Sequence, residues 1–257
     1  MRPIAVVTGG TSGIGAAYAN AFAESGHDLI IVGRREEIIR GVARSIEAKT
    51  ASSVEVRIID LAISEERDAL VSELEGLDNI EILVNNAGFG HSADFGGEEI
   101  NTQLEMLDVH VTSSVKLIAA VLPGMKQRKR GAIINVASVA GFFPMPRGSM
   151  YSATKAFLVS LSESLSMELS RHGIRVQALC PGMTYTEFHT QMGVAGEELA
   201  QRKLLVWMSA DEVVRRSRKA LSRNRVICIP GIAYFLIVRL FSHIPRRLYY
   251  RLLKRLR

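Results

Sequence analysis

The sequence predicts an α/β fold in which a doubly wound parallel sheet carries helices on both faces. Short apolar runs alternate with longer amphipathic runs along most of the chain, as in strands joined by helices. The short runs are apolar almost throughout, which indicates strands covered on both faces and therefore a parallel sheet. The 257 residues suffice for one large domain, and no repeat, low-complexity tract or linker divides them.

Six strands and five helices alternate in the predicted order. Runs of Ile, Val and Leu predict strands at 4–8, 29–33, 54–59, 82–84, 132–137 and 176–180. Apolar residues at helical spacing predict helices at 15–25, 36–48, 65–75, 103–125 and 151–171. We place the domain at residues 1–230 and treat residues 231–257 as a basic amphipathic extension of it.

Charge is distributed unevenly along the chain. The whole chain has 32 Lys and Arg against 26 Asp and Glu, a net charge of +6. Residues 226–257 contain seven basic residues and no acidic one, which leaves 25 basic against 26 acidic residues elsewhere. This pattern predicts that the carboxyl-terminal end meets an anionic surface such as lipid headgroups, and it argues against a nucleic-acid-binding body.

Cysteine usage and the amino-terminal sequence bear on the compartment. Cys180 and Cys228 lie in apolar runs, which predicts buried thiols, excludes a disulfide framework and indicates a reducing compartment. Met1 is followed within two residues by the first strand, with no apolar signal core, so we expect a cytoplasmic protein. Association with the inner face of the membrane is the alternative location. The histidines show no metal-ligand spacing, and no metal is predicted.

A glycine-rich turn, TGGTSGIG, follows the first strand. Its glycines permit a tight turn and close backbone approach, and they leave helix N–H groups free for a pyrophosphate. Because the spacing is GxxxGxG and not GxGxxG, an ordinary strand-to-helix turn is the alternative. The predicted dinucleotide contacts are Gly9, Thr11, Ser12, Gly13, Ile14 and Gly15.

The end of the second strand, LIIVGRR, indicates which dinucleotide binds. An acidic side chain here would favour NAD(H), but this chain has Arg34 and Arg35. A guanidinium group pairs with phosphate oxygens in a fork, so both residues favour the 2′-phosphate of NADP(H). The alternative is a solvated pair of arginines that opens the second helix.

Residues after the third and fourth strands extend the predicted cofactor site. Asp60, followed by Leu61 in IIDLA, is placed to contact an adenine edge or to cap a turn. In NNAG, the small residues Asn86, Ala87 and Gly88 let the backbone lie along a cofactor.

Tyr151 and Lys155 of YSATK lie four residues apart on a predicted helix, and Ser138 follows the preceding strand. The spacing places both side chains on one helix face, where the ammonium would lower the phenol pKa and make Tyr151 a proton donor and acceptor near neutral pH. Ser138 can hydrogen-bond a substrate carbonyl. A lone YxxxK is typical of a buried tyrosine beside a surface lysine, but here the other motifs occur in the expected order.

Taken in order, TGGTSGIG, Asp60, NNAG, Ser138, YSATK and CPGMTYT resemble the motifs of the short-chain dehydrogenase/reductase family, from residue 4 to about residue 190. The resemblance implies a single Rossmann-like domain with a seven-stranded parallel sheet and NAD(P)(H) at the carboxyl ends of the strands. It also implies hydride transfer between nicotinamide C4 and a carbonyl or carbinol carbon. A homodimer or homotetramer is expected, with contact through the helices at 103–125 and 151–171.

The same resemblance implies a role for each motif residue. Tyr151 would be the general acid/base, Lys155 would lower its pKa and bind the nicotinamide ribose, and Ser138 would orient the substrate oxygen. The residues that would lie against the nicotinamide are Pro181, Gly182, Thr184 and Thr186.

His110 departs from the family pattern. Many members have an Asn at this place, whose main-chain carbonyl holds a water that leads to the lysine. A His can support that role through its own carbonyl, and its ring would add a catalytic proton-relay group that titrates near neutrality. The alternative is a packed helix residue that bonds a neighbouring group.

Apolar residues flank the predicted site and predict a hydrophobic substrate. They lie in the segment 139–150, where Arg147 is the one obvious charge, and at Met183, Tyr185, Phe188, Met192, Trp207 and Met208. Loops of this kind line an apolar cavity, unless they only complete the core. The admissible substrates are 3-oxoacyl lipids, sphingoid-type ketones and steroids.

The carboxyl-terminal tail has two parts. Residues 226–241 are apolar apart from Arg239, but Pro230 and Gly231 interrupt them, and the rest is too short to span a bilayer. Residues 246–257 place leucines on one side of a helix and basic residues on the other, which is typical of a helix that lies in a membrane interface. Alternatively, 226–230 is the seventh strand and the rest packs on a substrate lid or a sister subunit.

The combined prediction is an NADPH-dependent oxidoreductase that acts on the carbonyl or secondary alcohol of an apolar small molecule. A soluble reductase of small ketones or quinones, whose tail only builds the oligomer, is the second hypothesis. A non-catalytic NADPH-binding sensor or scaffold is a third, and the intact serine, tyrosine and lysine argue against it.

Overall fold

A computed structural model of the chain describes residues 2–91, 94–95, 100–187 and 206–255. For Arg246 and for residues 252–255 the description is limited to the backbone.

The strands of the described residues form two sheets. They are β1 Ile4–Thr8, β2 Asp28–Gly33, β3 Val54–Ile58, β4 Ile80–Asn85, β5 Gly131–Val136, β6 Ile174–Leu179, β7 Thr184–Tyr185, β8 Met208–Ser209 and β9 Ile227–Cys228. Seven of them form one sheet in the order β3-β2-β1-β4-β5-β6-β9, and β7 pairs with β8. Every pairing is parallel. The predicted seven-stranded parallel sheet is therefore confirmed.

The α-helices are α1 Gly13–Ala23, α2 Glu36–Glu47, α3 Ser64–Glu75, α4 Ile100–Leu107, α5 Ser113–Arg128, α6 Ser149–Leu169, α7 Ala210–Leu221, α8 Ile232–Ser242 and α9 Arg246–Arg255. A π-helical turn, Asp108–Thr112, joins α4 to α5. The helix predicted at 103–125 therefore begins and ends three residues further out, at Ile100 and Arg128, and this turn interrupts it. Short 3₁₀ turns lie at Val139–Phe142 and Ser170–His172.

Both faces of the large sheet are covered, as the apolar strands predict. In β1, Ala5 and Val7 pack into a core with α1, α2 and α7, whereas Val6 packs into a second core with α3, α5 and α6. Successive side chains of a strand point to opposite faces, which is why one apolar strand supplies two cores. The doubly wound arrangement is confirmed as one domain with helices on either side.

The strand order reverses between β1 and β4, and this reversal positions the candidate site. From β1 the chain adds β2 and then β3 on one side, and from β4 it adds β5, β6 and β9 on the other side. Ligands of open α/β sheets bind in the crevice outside the carboxyl ends of the strands at such a switch point. The crevice here is bordered by the residues that follow β1, β4, β5 and β6.

The helical segment Ile100–Arg128 is long and apolar. Among the described residues it alone is long and apolar enough to cross a membrane, yet half of its most apolar window is buried within the protein. Its residues Leu117, Val121 and Met125 lie in the core. It packs as a core helix of the sheet.

The described part of the tail contains the predicted seventh strand and two helices, and contact with a membrane stays a prediction. Residues 226–230 supply β9, which pairs with β6 as the seventh strand of the large sheet. Two helices, α8 and α9, follow it and lie beside the carboxyl edge of the sheet, where α8 packs against Val139–Phe142.

Candidate active site

Ser138, Tyr151 and Lys155 come together at the carboxyl end of β5. Ser138 begins the 3₁₀ turn that follows β5, and its Oγ accepts a hydrogen bond of 3.1 Å from the Ala140 N–H. Tyr151 and Lys155 lie in the first two turns of α6, and a hydrogen bond joins the Tyr151 and Ser138 hydroxyls. The Lys155 Nζ lies 5.7 Å from the centre of the Tyr151 ring. The three predicted side chains therefore form one cluster.

Burial governs the protonation of this cluster. It raises the pKa of Tyr151 to about 12, and the hydrogen bond to Ser138 offsets part of that rise. It also lowers the pKa of Lys155 to about 7. Lys155 donates to the Val136 carbonyl oxygen at 2.9 Å. Burial disfavours the charged form of both groups, so the phenol pKa lies above its usual value and the lowering expected from the ammonium is not seen in this structure.

His110 lies in the π-helical turn and is 1% exposed. Its Nε2 accepts a hydrogen bond of 3.2 Å from the Phe89 N–H, and its Nδ1 lies 2.9 Å from Thr154 Oγ1. Thr154 Oγ1 in turn donates to the Tyr151 carbonyl oxygen. These partners suit a neutral ring with its proton on Nδ1.

The His110 ring lies edge-on to the Tyr151 ring at 6.0 Å, but it does not have the electrostatics of a group that titrates near neutrality. Burial and the nearby Lys155 charge hold its pKa well below its usual value of 6.5. The geometry fits the packed-residue alternative, and the catalytic role of His110 stays a prediction.

The glycine-rich turn is closed tightly against the end of β4. Gly9 and Gly13 adopt φ values of 67° and 56°, in the left-handed region. A Cβ at Gly15 would lie 2.1 Å from the Gly9 carbonyl oxygen. The Ser12 hydroxyl does not cap α1. A turn of this shape leaves space and amide groups for an anion at the start of the helix, which fits a bound pyrophosphate.

The NNAG segment holds this turn in place. Asn86 donates from its side-chain amide to the carbonyl oxygens of Thr8 and Gly9, at 2.9 and 3.1 Å. The backbone N–H groups of Asn86 and Ala87 both donate to Thr8 Oγ1. A Cβ at Gly88 would lie 2.5 Å from the His110 ring. The side chain of Asn86 therefore supports the glycine turn, and the predicted cofactor contact falls to the backbone of the segment.

Arg34 and Arg35 lie at the end of β2 but point to different partners. Arg35 donates to the hydroxyls of Thr11 and Ser12 at 2.9 and 3.0 Å, and it pairs with Glu187 at 2.7 Å. Arg34 is more exposed and pairs with Asp60 at 3.0 Å. Arg35 is thus held directly over the glycine-rich turn.

After β3, Asp60 and Leu61 play different structural parts. Asp60 Oδ1 accepts a hydrogen bond from the Ala62 N–H, so the carboxylate caps the turn that precedes α3. The Leu61 side chain is buried in the core and its carbonyl accepts from Arg67. Only backbone atoms of Leu61 can meet a cofactor.

The segment after β6 approaches the same crevice. A Cβ at Gly13 would lie 2.7 Å from Thr186 Cγ2, so the two segments touch. A Cβ at Gly182 would lie 2.3 Å from the Tyr234 ring of α8. Pro181 accepts from the Val139 N–H, and Thr184 Oγ1 donates to the Gly182 carbonyl oxygen. The predicted nicotinamide contacts therefore lie between the glycine-rich turn, the turn that begins at Ser138, and α8.

Comparison with known proteins decides the family. A family model described as short chain dehydrogenase matches residues 3–195. The chain belongs to the short-chain dehydrogenase family.

Three relatives of this short-chain dehydrogenase indicate the range of its similarities. An uncharacterized oxidoreductase of Staphylococcus saprophyticus is 38% identical over 71% of this chain and 79% of the relative. The 17-beta-hydroxysteroid dehydrogenase type 3 of Mus musculus is 32% identical over 96% of this chain and 77% of the relative. The very-long-chain 3-oxoacyl-CoA reductase of Mus musculus is 35% identical over 71% of this chain, and the match spans 60% of that longer enzyme.

Solved structures share the whole fold. A short-chain dehydrogenase from Sphingobium yanoikuyae in complex with NADPH has a TM-score of 0.84 and 33% identity, over 95% of this chain and 96% of that one. A bulky-bulky ketone specific alcohol dehydrogenase from Comamonas testosteroni has a TM-score of 0.78 and 30% identity, over 98% and 92%. A family member from Burkholderia phymatum in complex with NAD has a TM-score of 0.79 and 25% identity, over 93% and 92%. Relatives of this fold thus bind either dinucleotide.

The residues predicted to flank the substrate are described in part. Tyr185 and Trp207 stack with ring centres 5.0 Å apart, next to the short β7–β8 sheet. Phe143 packs edge-on against Phe241 of α8 at 5.3 Å. Arg147 is exposed and has a φ of 59°. Phe188 and Met192 lie outside the described residues.

Two contributors to the site escaped the sequence analysis. Thr154 links His110 to α6 through its hydroxyl. Its position within YSATK, between Tyr151 and Lys155, was the sequence feature that could have indicated this role. Tyr249 of α9 donates to the Pro144 carbonyl oxygen at 2.7 Å and so joins the tail to the segment between Ser138 and Tyr151. No sequence pattern indicates that contact, because the two residues lie 105 positions apart.

Proposed function

We propose that this short-chain dehydrogenase is an NADPH-dependent reductase of an apolar carbonyl compound. The observation that carries the proposal is the cluster of Ser138, Tyr151 and Lys155 beside the aromatic contact between Phe143 and Phe241. The relatives named for 3-oxoacyl-CoA and hydroxysteroid chemistry support the same substrate class. So does the structural neighbour named for bulky ketones.

The proposed mechanism assigns one task to each side chain. Ser138 donates a hydrogen bond to the carbonyl oxygen and fixes its position. Tyr151, whose raised pKa keeps the phenol protonated at neutral pH, donates that proton to the oxygen as negative charge develops there. Lys155, in its protonated form, stabilises the phenolate that Tyr151 becomes when it gives up its proton. When bound, the dinucleotide supplies the hydride.

The preference for NADPH is proposed from Arg35. Its guanidinium group is ordered over the glycine-rich turn by Thr11 and Ser12, and Arg34 lies beside it. Glu187 already pairs with Arg35, so a 2′-phosphate would compete with or displace that carboxylate. The residues that would hold the dinucleotide are the glycine-rich turn, the backbone after Asn86, Lys155 and the segment 181–186.

Oligomerisation is proposed through α5 and α6. Each helix exposes a large apolar side chain, Val115 at 42% and Phe157 at 41%. Exposed apolar groups on long helices favour a subunit contact. Sedimentation of the purified protein should show a dimer or tetramer that Phe157→Glu dissociates, and a monomeric wild type would overturn this part of the proposal.

The test of function compares two substrates in one assay. NADPH oxidation is measured with a long-chain 3-oxoacyl thioester and with a short, water-soluble 3-oxo ester. We expect faster turnover of the long chain, and a loss of about 10²- to 10⁴-fold in Tyr151→Phe with NADPH binding retained. Equal or better turnover of the short ester would refute the apolar substrate. Binding of NADPH without turnover of any carbonyl would refute the enzyme and favour a sensor or scaffold.

A further inference from the structure

Helix α8 has apolar side chains on both of its faces. Tyr234 and Val238 are each 7% exposed and pack on the protein. On the other face, exposed apolar side chains repeat at helical spacing: Ile232 at 71%, Phe235 at 47%, Leu236 at 56% and Leu240 at 65%. A surface helix of a soluble protein normally turns its polar side to water. A contiguous exposed apolar stripe of this kind marks an interaction surface.

Exposed basic residues accompany this stripe on α8 and α9. Residues 226–257 contain no Asp or Glu. Arg239 of α8 and Arg247 and Arg251 of α9 are exposed, and Leu248 and Tyr250 are each 49% exposed between them. Exposed apolar side chains on two successive helices that also expose arginines and a tyrosine complement the acyl boundary and the phosphates of an anionic bilayer.

A second copy of the chain fits this surface less well. A two-fold contact would place the same basic helices of two subunits side by side, with no acidic group of residues 226–257 to pair with them. A spanning segment is excluded by length, because α8 has 11 residues and about 20 are needed. The chemistry therefore favours a lipid surface over self-association.

The same surface is joined to the substrate side of the site. Phe241 of α8 packs on Phe143, and Tyr249 of α9 donates to the Pro144 carbonyl oxygen. Both contacts hold the segment that runs from Ser138 to Tyr151. A bilayer that receives α8 and α9 would lie next to this segment.

We propose that the exposed faces of α8 and α9 form a docking surface for an anionic lipid bilayer, which presents the Ser138–Tyr151 segment to the membrane so that apolar substrate enters from lipid. The docking itself stands on the exposure and charge of the tail. The entry of substrate rests on the proposed function.

The test of docking uses co-sedimentation of the full-length protein with vesicles. Vesicles of phosphatidylcholine alone are compared with vesicles that contain about one third phosphatidylglycerol. The test variant is Leu236→Glu/Leu240→Glu, and the matched control is Ile38→Glu, which alters an apolar side chain of α2 that is 44% exposed. We expect the wild type and the control to bind anionic vesicles, and the test variant to bind at least about 100-fold more weakly. Raising the salt to about 1 M should weaken wild-type binding, because the Debye length falls to about 3 Å.

Two results would overturn the docking surface. One is equal partitioning of the wild type and the test variant. The other is a test variant that changes from an oligomer to a smaller species in sedimentation, with no vesicle binding by the wild type, since this would make the face a subunit contact.

Activity separates the docking from the function. The test variant should retain wild-type NADPH binding and turnover of the water-soluble ester, and should lose turnover only of long-chain substrate delivered in anionic vesicles. If the wild type binds vesicles but reduces no carbonyl, the proposed function fails and the docking surface remains. Equal turnover of vesicle-borne substrate by both proteins would refute entry from lipid.

Discussion

The lowered pKa of Lys155 can be tested by measuring how the free energy of unfolding depends on pH. The residue is 5% exposed, and burial lowers its pKa from 10.5 to about 7. Between these values the folded state binds fewer protons than the unfolded state, so the free energy of unfolding rises with pH. Below about pH 7 the lysine is protonated in both states, and the cost of burying its charge is fully present.

The size of the effect follows from the pKa. Each pH unit above the folded-state value recovers up to about 1.4 kcal/mol, so Lys155 should add roughly 2 kcal/mol of stability to the wild type between about pH 7 and pH 8.5. Lys155→Met removes the titrating group. The stability of the wild type relative to this variant should therefore increase by the same amount over that interval.

The assay is urea unfolding followed by the fluorescence of Trp207 at several pH values. Lys126→Met, at an exposed position of α5, is the control and should track the wild type. Parallel stability curves for the wild type and Lys155→Met would refute the reasoning, because they would show that the ammonium keeps its hydration in the folded protein.

Three further predictions concern the cofactor site and His110. Arg35→Ala should reduce the ratio of kcat/KM for NADPH to that for NADH by about tenfold or more, because a fork of hydrogen bonds to the 2′-phosphate is lost; Arg40→Ala, on the exposed side of α2, is the control, and an unchanged ratio would contradict the selectivity. Gly15→Ala should weaken dinucleotide binding at least about tenfold in a fluorescence titration, because its Cβ would lie 2.1 Å from the carbonyl oxygen of Gly9; normal affinity would show that this turn does not hold the cofactor. His110→Ala should cost about 1–3 kcal/mol in urea unfolding, because the part-buried N–H of Phe89 loses its acceptor. It should leave the pH profile of kcat unchanged, and loss of an ionisation near neutrality would instead support a proton relay.

Most of the sheet could be predicted because each strand is a local apolar run. The observed strands of the large sheet differ from the predicted ones by at most two residues at either end, as at β4, observed at Ile80–Asn85 and predicted at 82–84. End residues are decided by pairing with neighbours, here by the register of β4 against β1 and β5. The π-helical turn at Asp108–Thr112 had no local signal, and the contacts that His110 makes from it to Phe89 and Thr154 join segments distant in the sequence.

The cofactor residues illustrate what motif order can and cannot reveal. It placed the glycine-rich turn, Arg35 and NNAG at one edge, and the structure brings them together. Motif order could not show that the side-chain amide of Asn86 donates to the carbonyl oxygens of Thr8 and Gly9 within the protein. A hydrogen bond between segments more than 70 residues apart depends on how the strands are ordered in the sheet.

The sequence by itself determined the parallel α/β fold and the order of its motifs, because apolar periodicity and motif spacing are local properties of the chain. Only the tertiary structure decided the protonation of the site, since the pKa values of Tyr151, Lys155 and His110 depend on how completely neighbouring segments exclude water. It also decided which face of α8 is exposed. The sequence of a helix that is apolar all round does not show which side is buried. Here that side is the one with Tyr234 and Val238, which pack on the rest of the fold.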